Sequence, residues 1–265
     1  AEAIRALTRR WLPPEQVEPE RSAIYTFHGL VARRWRSGRV LIAGDAAHQM
    51  PPFLGQGMCS GIRDAANLAW KLDAVIRGTS PDALLDTYEQ ERRPHVRQIV
   101  EAAIEFGRLI CVTDAGEALA RDRSLASRAD RSNFKPFSLP SLARGPLVLA
   151  GGGGLFPQPA GASPGARLDD RVGQRFFVLA RTERAVGPWG ERWTAEVGAL
   201  VWTLDRLDGQ AAALRGWLDR RDADVVVVRP DRYVLGCETR LERITRVVEP
   251  YLMSRTREAM PDPRL

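Results

Sequence analysis

The feature that most constrains this chain is an apolar run that stops at a glycine and an aspartate. It reads Val40-Leu41-Ile42-Ala43 and then Gly44-Asp45-Ala46-Ala47-His48. Four apolar residues bounded by turn formers predict a short buried strand. Gly44 then permits a sharp bend or a close backbone approach. Asp45 is left at the carboxyl end of that strand, where open α/β sheets take their ligands. An ionised carboxylate only accepts hydrogen bonds, which suits sugar-like hydroxyls. The other reading is a cap on the following turn. Pro51-Pro52 sets a stiff, extended turn shortly afterwards. Gly55-Gln56-Gly57-Met58 then brings bare backbone N–H groups to a helix start, which favours anionic or electron-rich atoms.

The helix that follows is predicted over 58–77. Ile62, Ala65, Ala66, Ala69, Leu72, Val75 and Ile76 recur on it at helical spacing. Gly78 is placed to stop it. A second helix starts with Ser80 as N-cap, Pro81 in the first turn and Asp82 complementing the dipole. Pro94 is expected to kink or divide it. Upstream, 1–17 reads as a helix end and a loop broken by Pro13-Pro14. Residues 21–35 contain a strand with Ala23, Tyr25 and Phe27 on one face and Thr26 and His28 on the other. Between 120 and 166 the periodicity dissolves into Ser, Arg, Pro and Gly, as in a long surface linker. A second unit follows: strands over 175–180 and 199–204, a helix over 209–220, and a buried strand over 223–228. The Arg229-Pro230-Asp231-Arg232 turn leads to a strand over 233–236 and a last helix over 239–249, stopped by Pro250.

Composition removes several classes of function. The net charge of +6 and pI near 9.8 come from arginine, since Lys71 and Lys135 are the only lysines. The arginines are scattered among acids, as in Arg121-Asp122-Arg123, with no aromatic–basic stripe, so no nucleic-acid partner is expected. Cys59, Cys111 and Cys237 stand far apart, as do His28, His48 and His95, so neither a disulfide framework nor a metal site is expected. No apolar run reaches membrane-spanning length and no signal peptide is visible; a cytoplasmic setting is the default.

The Gly44-Asp45 and Pro51-Pro52-x-x-Gly55-x-Gly57 elements together resemble the second flavin-contact motif of the FAD-dependent aromatic hydroxylases. Tyr25-Thr26-Phe27-His28, Arg63-Asp64-Ala65-Ala66-Asn67-Leu68-Ala69-Trp70-Lys71-Leu72 and Tyr88-Glu89-Gln90-Glu91-Arg92-Arg93-Pro94 fit that family in the same order. Within it the chain is most similar to the 3-(3-hydroxyphenyl)propionate hydroxylases. The fold so implied is α/β. It comprises the end of a substrate-binding sheet (1–36), the C-terminal part of an FAD-binding domain (37–122), a linker (123–166) and a thioredoxin-like domain (167–265). The last has no Cys-x-x-Cys, so a structural or dimer-forming role is expected of it. The Gly-x-Gly-x-x-Gly turn that holds the FAD pyrophosphate does not occur. Gly151-Gly152-Gly153-Gly154 is no substitute, because no helix pattern follows. The chain is therefore expected to be the C-terminal part of a larger flavoprotein and inactive alone. The alternatives are an association module or one half of a split enzyme.

The resemblance also implies roles. Leu41, Ile42, Ala43, Gly44, Asp45, Ala46 and His48 would contact the cofactor, with Asp45 accepting hydrogen bonds from the ribityl chain of FAD. Gly55, Gln56, Gly57 and Met58 would meet the negative charge of the reduced ring. His48 lies beside this motif and reads as structural rather than as an acid or base. Carbonyls of Pro51 and Pro52 would lie beside the reacting centre, or the pair is simply a rigid turn. Asn67 reads as structural. Arg92 and Arg93 read as ion-pair partners of Glu89. The implied reaction is hydroxylation of a phenolic acid. NAD(P)H reduces FAD, and O2 forms a flavin hydroperoxide that transfers oxygen.

Overall fold

The computed structural model describes residues 2–11, 13–16, 18, 20–127, 138–159, 167–207 and 209–253. The first part opens with helix α1 (Glu2–Thr8). Four two-residue strands follow: β1 (Leu30–Val31), β2 (Arg36–Ser37), β3 (Val40–Leu41) and β4 (His48–Gln49). β1 pairs antiparallel with β4, and β2 with β3. Two expectations are corrected here. Most of the strand over 21–35 does not form: residues 21–29 pair with no strand among the described residues, and Ile24, Tyr25 and Phe27 are exposed. A strand needs a neighbour for its N–H and C=O groups, and among the described residues of this stretch ladder pairing is confined to Leu30–Val31, with single backbone bonds at Ala32 and Trp35 beyond it. The strand over 39–43 is likewise a short hairpin arm, with Val40 exposed. Leu41, Ile42 and Ala43 are half-buried against a small core containing Trp35, Tyr88, Val96 and Val100.

Helix α2 (Gly57–Ile76) ends at Arg77, and Gly78 follows at φ +68° as the stop predicted for it. Which face α2 buries is a surprise. Its buried side chains are Ser60, Asp64, Asn67 and Lys71, a polar stripe at helical spacing, whereas Met58, Ile62 and Ile76 are exposed. Helix α3 (Asp86–Ile110) runs on through Pro94, so of the two expected outcomes, a kink or a division, the division does not occur. An interior proline costs about 3 kcal/mol. The fully buried Tyr88, Val96, Ile99 and Ala103 of the same helix outweigh that, at about 1.5–3 kcal/mol for each large apolar side chain. Ser80 caps nothing: its hydroxyl donates to the Leu252 carbonyl, 3.2 Å away. Pro81 instead precedes a 3-10 turn, Asp82–Leu85, that leads into α3.

The stretch expected to wrap the surface is more structured. Its start is helical, within α4 (Ala115–Ser127). Its described later part is threaded into the second unit, with Leu142, Leu147 and Val148 buried. Leu149 N–H donates to Leu235 O at 2.7 Å and Gly153 N–H to Val234 O at 2.8 Å.

The second unit comprises α5 (Leu168–Val172), β5 (Phe177–Ala180), α6 (Glu183–Val186), α7 (Trp189–Val197), β6 (Leu200–Thr203), α8 (Ala211–Asp219), β7 (Val225–Val228), β8 (Val234–Glu238) and α9 (Leu241–Leu252). The sheet order is β6-β5-β7-β8, with β5 parallel to β6 and antiparallel to β7, and β7 antiparallel to β8. This is the thioredoxin-like arrangement expected. Alternation along the strands supplies two cores. Val178, Val225 and Val227 meet Trp193, Ile244 and Val248 on one face. Leu179, Val226 and Val228 meet Leu214 and Leu218 on the other. Helices α5, α6 and α7 escape the sequence pattern, being short or interrupted by Gly187-Pro188. Pro250 does not stop α9, which continues to the buried Leu252.

The two parts join through buried charge. Glu91 Oε2 on α3 accepts from Asn67 Nδ2 (2.8 Å), Lys71 Nζ (3.0 Å) and Arg229 Nη2 (2.8 Å). Asp231 accepts from Arg229 and from Asn67, at 2.6 and 3.0 Å. Asn67 is thus a structural link between the two parts. Burial pulls the Lys71 ammonium down to about 8, with Glu91 opposing. For Glu91 burial works against the charge, but Arg229 and Lys71 prevail and hold its carboxyl below the usual range.

Candidate functional site

The Gly44-Asp45 turn, the Pro51-Pro52 turn and the start of α2 converge on one open cavity of about 460 Å³. Gly44 adopts φ +57° and Gly55 φ +61°, left-handed values that glycine takes without strain. Gly44 opens a 3-10 turn, Gly44–Ala46. Its neighbour Asp45 is exposed on the cavity wall. Among the described residues the Asp45 carboxylate takes no hydrogen bond or ion pair, and the turn has no side-chain cap. The capping reading of Asp45 therefore has nothing to rest on. The carboxylate is an acceptor without a partner at the rim.

Helix α2 begins on the same cavity, with Gly57 and Met58 in its wall. Its first N–H groups lack intrahelical acceptors. It has no side-chain cap and no acid in the first turn. The Gln56 side chain is turned away to accept from Arg63 Nη1 at 3.2 Å. The wall thus joins an anionic rim at Asp45 to a positive helix end at Gly57. Thr26, Phe27, His28, Met50 and Pro52 also line the cavity. Phe27 and His28 therefore line one cavity although they were expected on opposite faces of a strand; without the strand there is no alternation. Pro51 is buried and Pro52 exposed. Only Pro52 of the two is in the wall. Leu41, Ile42, Ala43 and Ala46 are not in the wall; the first three pack toward Trp35 and Tyr88, and Ala46 is exposed. The Tyr88 hydroxyl donates to the Ile42 carbonyl at 3.0 Å.

His48 is buried between the cavity and α2. Its ring stacks on Trp35 at 5.6 Å, and Nε2 donates to Asp64 Oδ2 at 2.7 Å. The other Asp64 oxygen accepts from Arg92 Nε at 2.8 Å, and Oδ2 also accepts the Gly44 N–H at 3.1 Å. Arg92 is fully buried and paired with Asp64, not with Glu89. Arg93 does pair with Glu89, at 3.5 Å. Burial works against the Asp64 charge, but His48 and Arg92 outweigh it and lower its pKa. Asp64, Arg92 and His95 went unrecognised as site-supporting residues in the sequence. The available signal was the polar repeat Ser60, Asp64, Asn67, Lys71 at helical spacing, which marks a paired buried face as readily as a solvated one.

His95 continues this network. Nδ1 accepts from Arg92 Nη1 at 2.8 Å and Nε2 donates to the Pro140 carbonyl at 2.9 Å. That pattern requires the neutral ring. Burial, reinforced by Arg92, pushes its pKa down from 6.5 to about 4. Between those values the unfolded chain binds the proton and the folded chain does not, so stability rises with pH across that window. As pH falls from 6.5 to 4 the fold is expected to lose on the order of 3 kcal/mol. Urea midpoints at half-unit intervals should show this slope in the wild type. His95→Gln should flatten it, and an unchanged slope in that variant would assign it elsewhere.

Among the described residues no His/Cys/Asp/Glu cluster could hold a metal ion, and no helix is long and apolar enough to cross a membrane.

Residues 2–103 match the family model described as an FAD binding domain, and residues 153–250 match an HcaD C-terminal domain. A probable NADH-specific resorcinol 4-hydroxylase of Rhodococcus jostii is 42% identical, over 85% of this chain and 45% of that protein. A 3-(3-hydroxy-phenyl)propionate/3-hydroxycinnamic acid hydroxylase of Mycolicibacterium smegmatis is 35% identical, over 89% of this chain and 49% of that protein. Among solved structures, aklavinone-11 hydroxylase in a ternary complex with FAD and aklavinone superposes with a TM-score of 0.66 at 25% identity, over 95% of this chain and 51% of that one. RebC-10x with bound 7-carboxy-K252c gives a TM-score of 0.63 at 26% identity, over 84% and 46%. The chain spans about half the length of the curated relatives it matches.

Proposed function

The chain belongs to the family of FAD-dependent aromatic hydroxylases, and on that premise we propose that its cavity is part of the flavin site of a monooxygenase. The substrate would be a phenolic acid such as 3-(3-hydroxyphenyl)propionate, with NAD(P)H and O2 as co-substrates. The relatives' names support this class: one is a resorcinol hydroxylase described as NADH-specific, another a 3-(3-hydroxyphenyl)propionate hydroxylase.

The observation that carries the reading is the pairing of an unpartnered carboxylate with an uncapped helix start across one cavity. A flavin carries both complementary chemistries, a polyhydroxyl chain and a ring that becomes anionic on reduction. Asp45 would accept hydrogen bonds from ribityl hydroxyls. The N–H groups at Gly57 and Met58 would stabilise negative charge through fixed dipoles. Pro52, on the wall, already gives its carbonyl to the Gly55 N–H at 2.9 Å, which holds the turn rigid beside the cavity. Thr26, Phe27 and His28 offer one hydroxyl, one apolar ring and one imidazole to whatever lies opposite the flavin. Bound FAD supplies the oxygen-activating chemistry, and the protein's part is to orient it and exclude water.

Asp45→Ala is the direct test. Losing a charged acceptor costs about 1.5–3 kcal/mol, so the variant should bind FAD roughly ten- to a hundredfold more weakly. Quenching of flavin fluorescence on titration reads this out. Equal affinity in both proteins would remove Asp45 from the site, and no binding by the wild type would remove the cavity.

A further inference from the structure

We propose that Asp64, which does not reach the cavity, is the positioning residue that sets the geometry of its cofactor-facing turn. The inference rests on reading the cavity as a flavin site. Asp64 is fully buried on α2, and both its oxygens are committed. Oδ2 takes the Gly44 N–H at 3.1 Å and His48 Nε2 at 2.7 Å; Oδ1 takes Arg92 Nε at 2.8 Å. One carboxylate thus ties the residue before Asp45, a wall residue of the cavity and helix α3 to the same point.

The turn has little else to hold it. Asp45 makes no polar contact among the described residues, so its direction is inherited from Gly44. Gly44 lies against α2 at Gly61, where an added Cβ would come within 3.4 Å of the Gly44 Cα. That close approach brings the Gly44 N–H within reach of Asp64 one helical turn further on. His48 is fixed on one side by Trp35 and on the other by Asp64. A neutral amide in place of Asp64 would present an N–H pair to at least one of three donors. The amide then loses either the Gly44 and His48 bonds together or the Arg92 bond that holds it in line, and in both cases the Gly44 turn loses its charged anchor and Asp45 its fixed direction.

The experiment compares FAD titrations of the wild type, Asp64→Asn and Glu91→Gln. The last removes an equally buried charge from the other cluster and serves as a control for general destabilisation. Asp64→Asn should raise the FAD dissociation constant about tenfold or more and blur the vibronic shoulder of the bound flavin. Glu91→Gln should change the constant less than about threefold at a comparable loss of Tm. Equal effects from the two variants, or none from Asp64→Asn, would overturn the proposal. Amide exchange at Gly44 in the ligand-free wild type decides the case if Asp64→Asn does not fold or if the wild type binds no FAD. A protected amide supports the role of Asp64 even if the flavin reading fails, and rapid exchange at Gly44 overturns it.

Discussion

Glu91→Gln is expected to lower the unfolding free energy by about 3–5 kcal/mol, the cost of leaving buried charge unpaired. Three donors, from Asn67, Lys71 and Arg229, converge on Glu91 Oε2. The wild-type cluster balances two cations, Lys71 and Arg229, against two anions, Glu91 and Asp231. The substitution keeps the shape and leaves one cation in excess. Its amide oxygen can keep the three contacts of Oε2, but the N–H pair then falls at the buried Oε1 position, which has no hydrogen-bond partner among the described residues. Because Arg229 comes from the turn between β7 and β8, the loss should appear as weakened attachment of the thioredoxin-like unit to α2 and α3. A urea melt followed by both tryptophan fluorescence and far-UV circular dichroism should change from coincident to separated transitions. The double variant Glu91→Gln/Lys71→Met removes a matched pair and should recover much of the loss. A cost below about 1 kcal/mol for Glu91→Gln would mean that the cluster does not hold the two parts together.

The second large effect is expected from two neighbouring arginines. Arg92→Ala should cost about 3–5 kcal/mol, while Arg93→Ala should cost less than about 1 kcal/mol. Arg92 is fully buried, donates to Asp64 and His95, and has no route to water. Its removal leaves the buried Asp64 carboxylate with only His48 and the Gly44 N–H and opens a cavity. Arg93 is partly exposed and meets Glu89 at 3.5 Å, where solvent screens the pair. Matched urea denaturation of the two variants measures the difference. Similar costs would contradict the burial of the Arg92 network.

Both effects sit where the sequence was hardest to read. Periodicity on α2 is unambiguous, and the helix is present almost to the residue. Periodicity does not say which stripe turns inward. Apolar Ile62 and Ile76 face out, and Asp64, Asn67 and Lys71 face in, because α3 and the Arg229 turn supply the counter-charges. Those partners lie 20 to more than 160 residues away in the chain. The same holds for Arg92 and Arg93: helical spacing offers Glu89 to both, and only packing reserves Arg92 for Asp64. The division offered as one alternative at Pro94 and the stop expected at Pro250 do not occur, because local cost is visible in sequence and distant burial is not.

The sequence by itself determined the local and the chemical. The Gly44-Asp45 turn, the Pro51-Pro52 turn, the bare start of α2 and the strands and the helices α8 and α9 of the second unit all follow from residue types at short spacing. Backbone sterics and hydrogen-bond inventory act within a few residues. It also sufficed to identify the family, since the motif order is itself a linear property. Tertiary structure alone decided which residues are buried charges, that residues 21–29 pair with no strand among the described residues, and that 142–153 is threaded into the sheet of the second unit. It also decided that Asp64 stands behind Asp45. Each of these depends on which groups meet across long stretches of chain, and burial turns a solvated charge worth little into one whose partner governs stability.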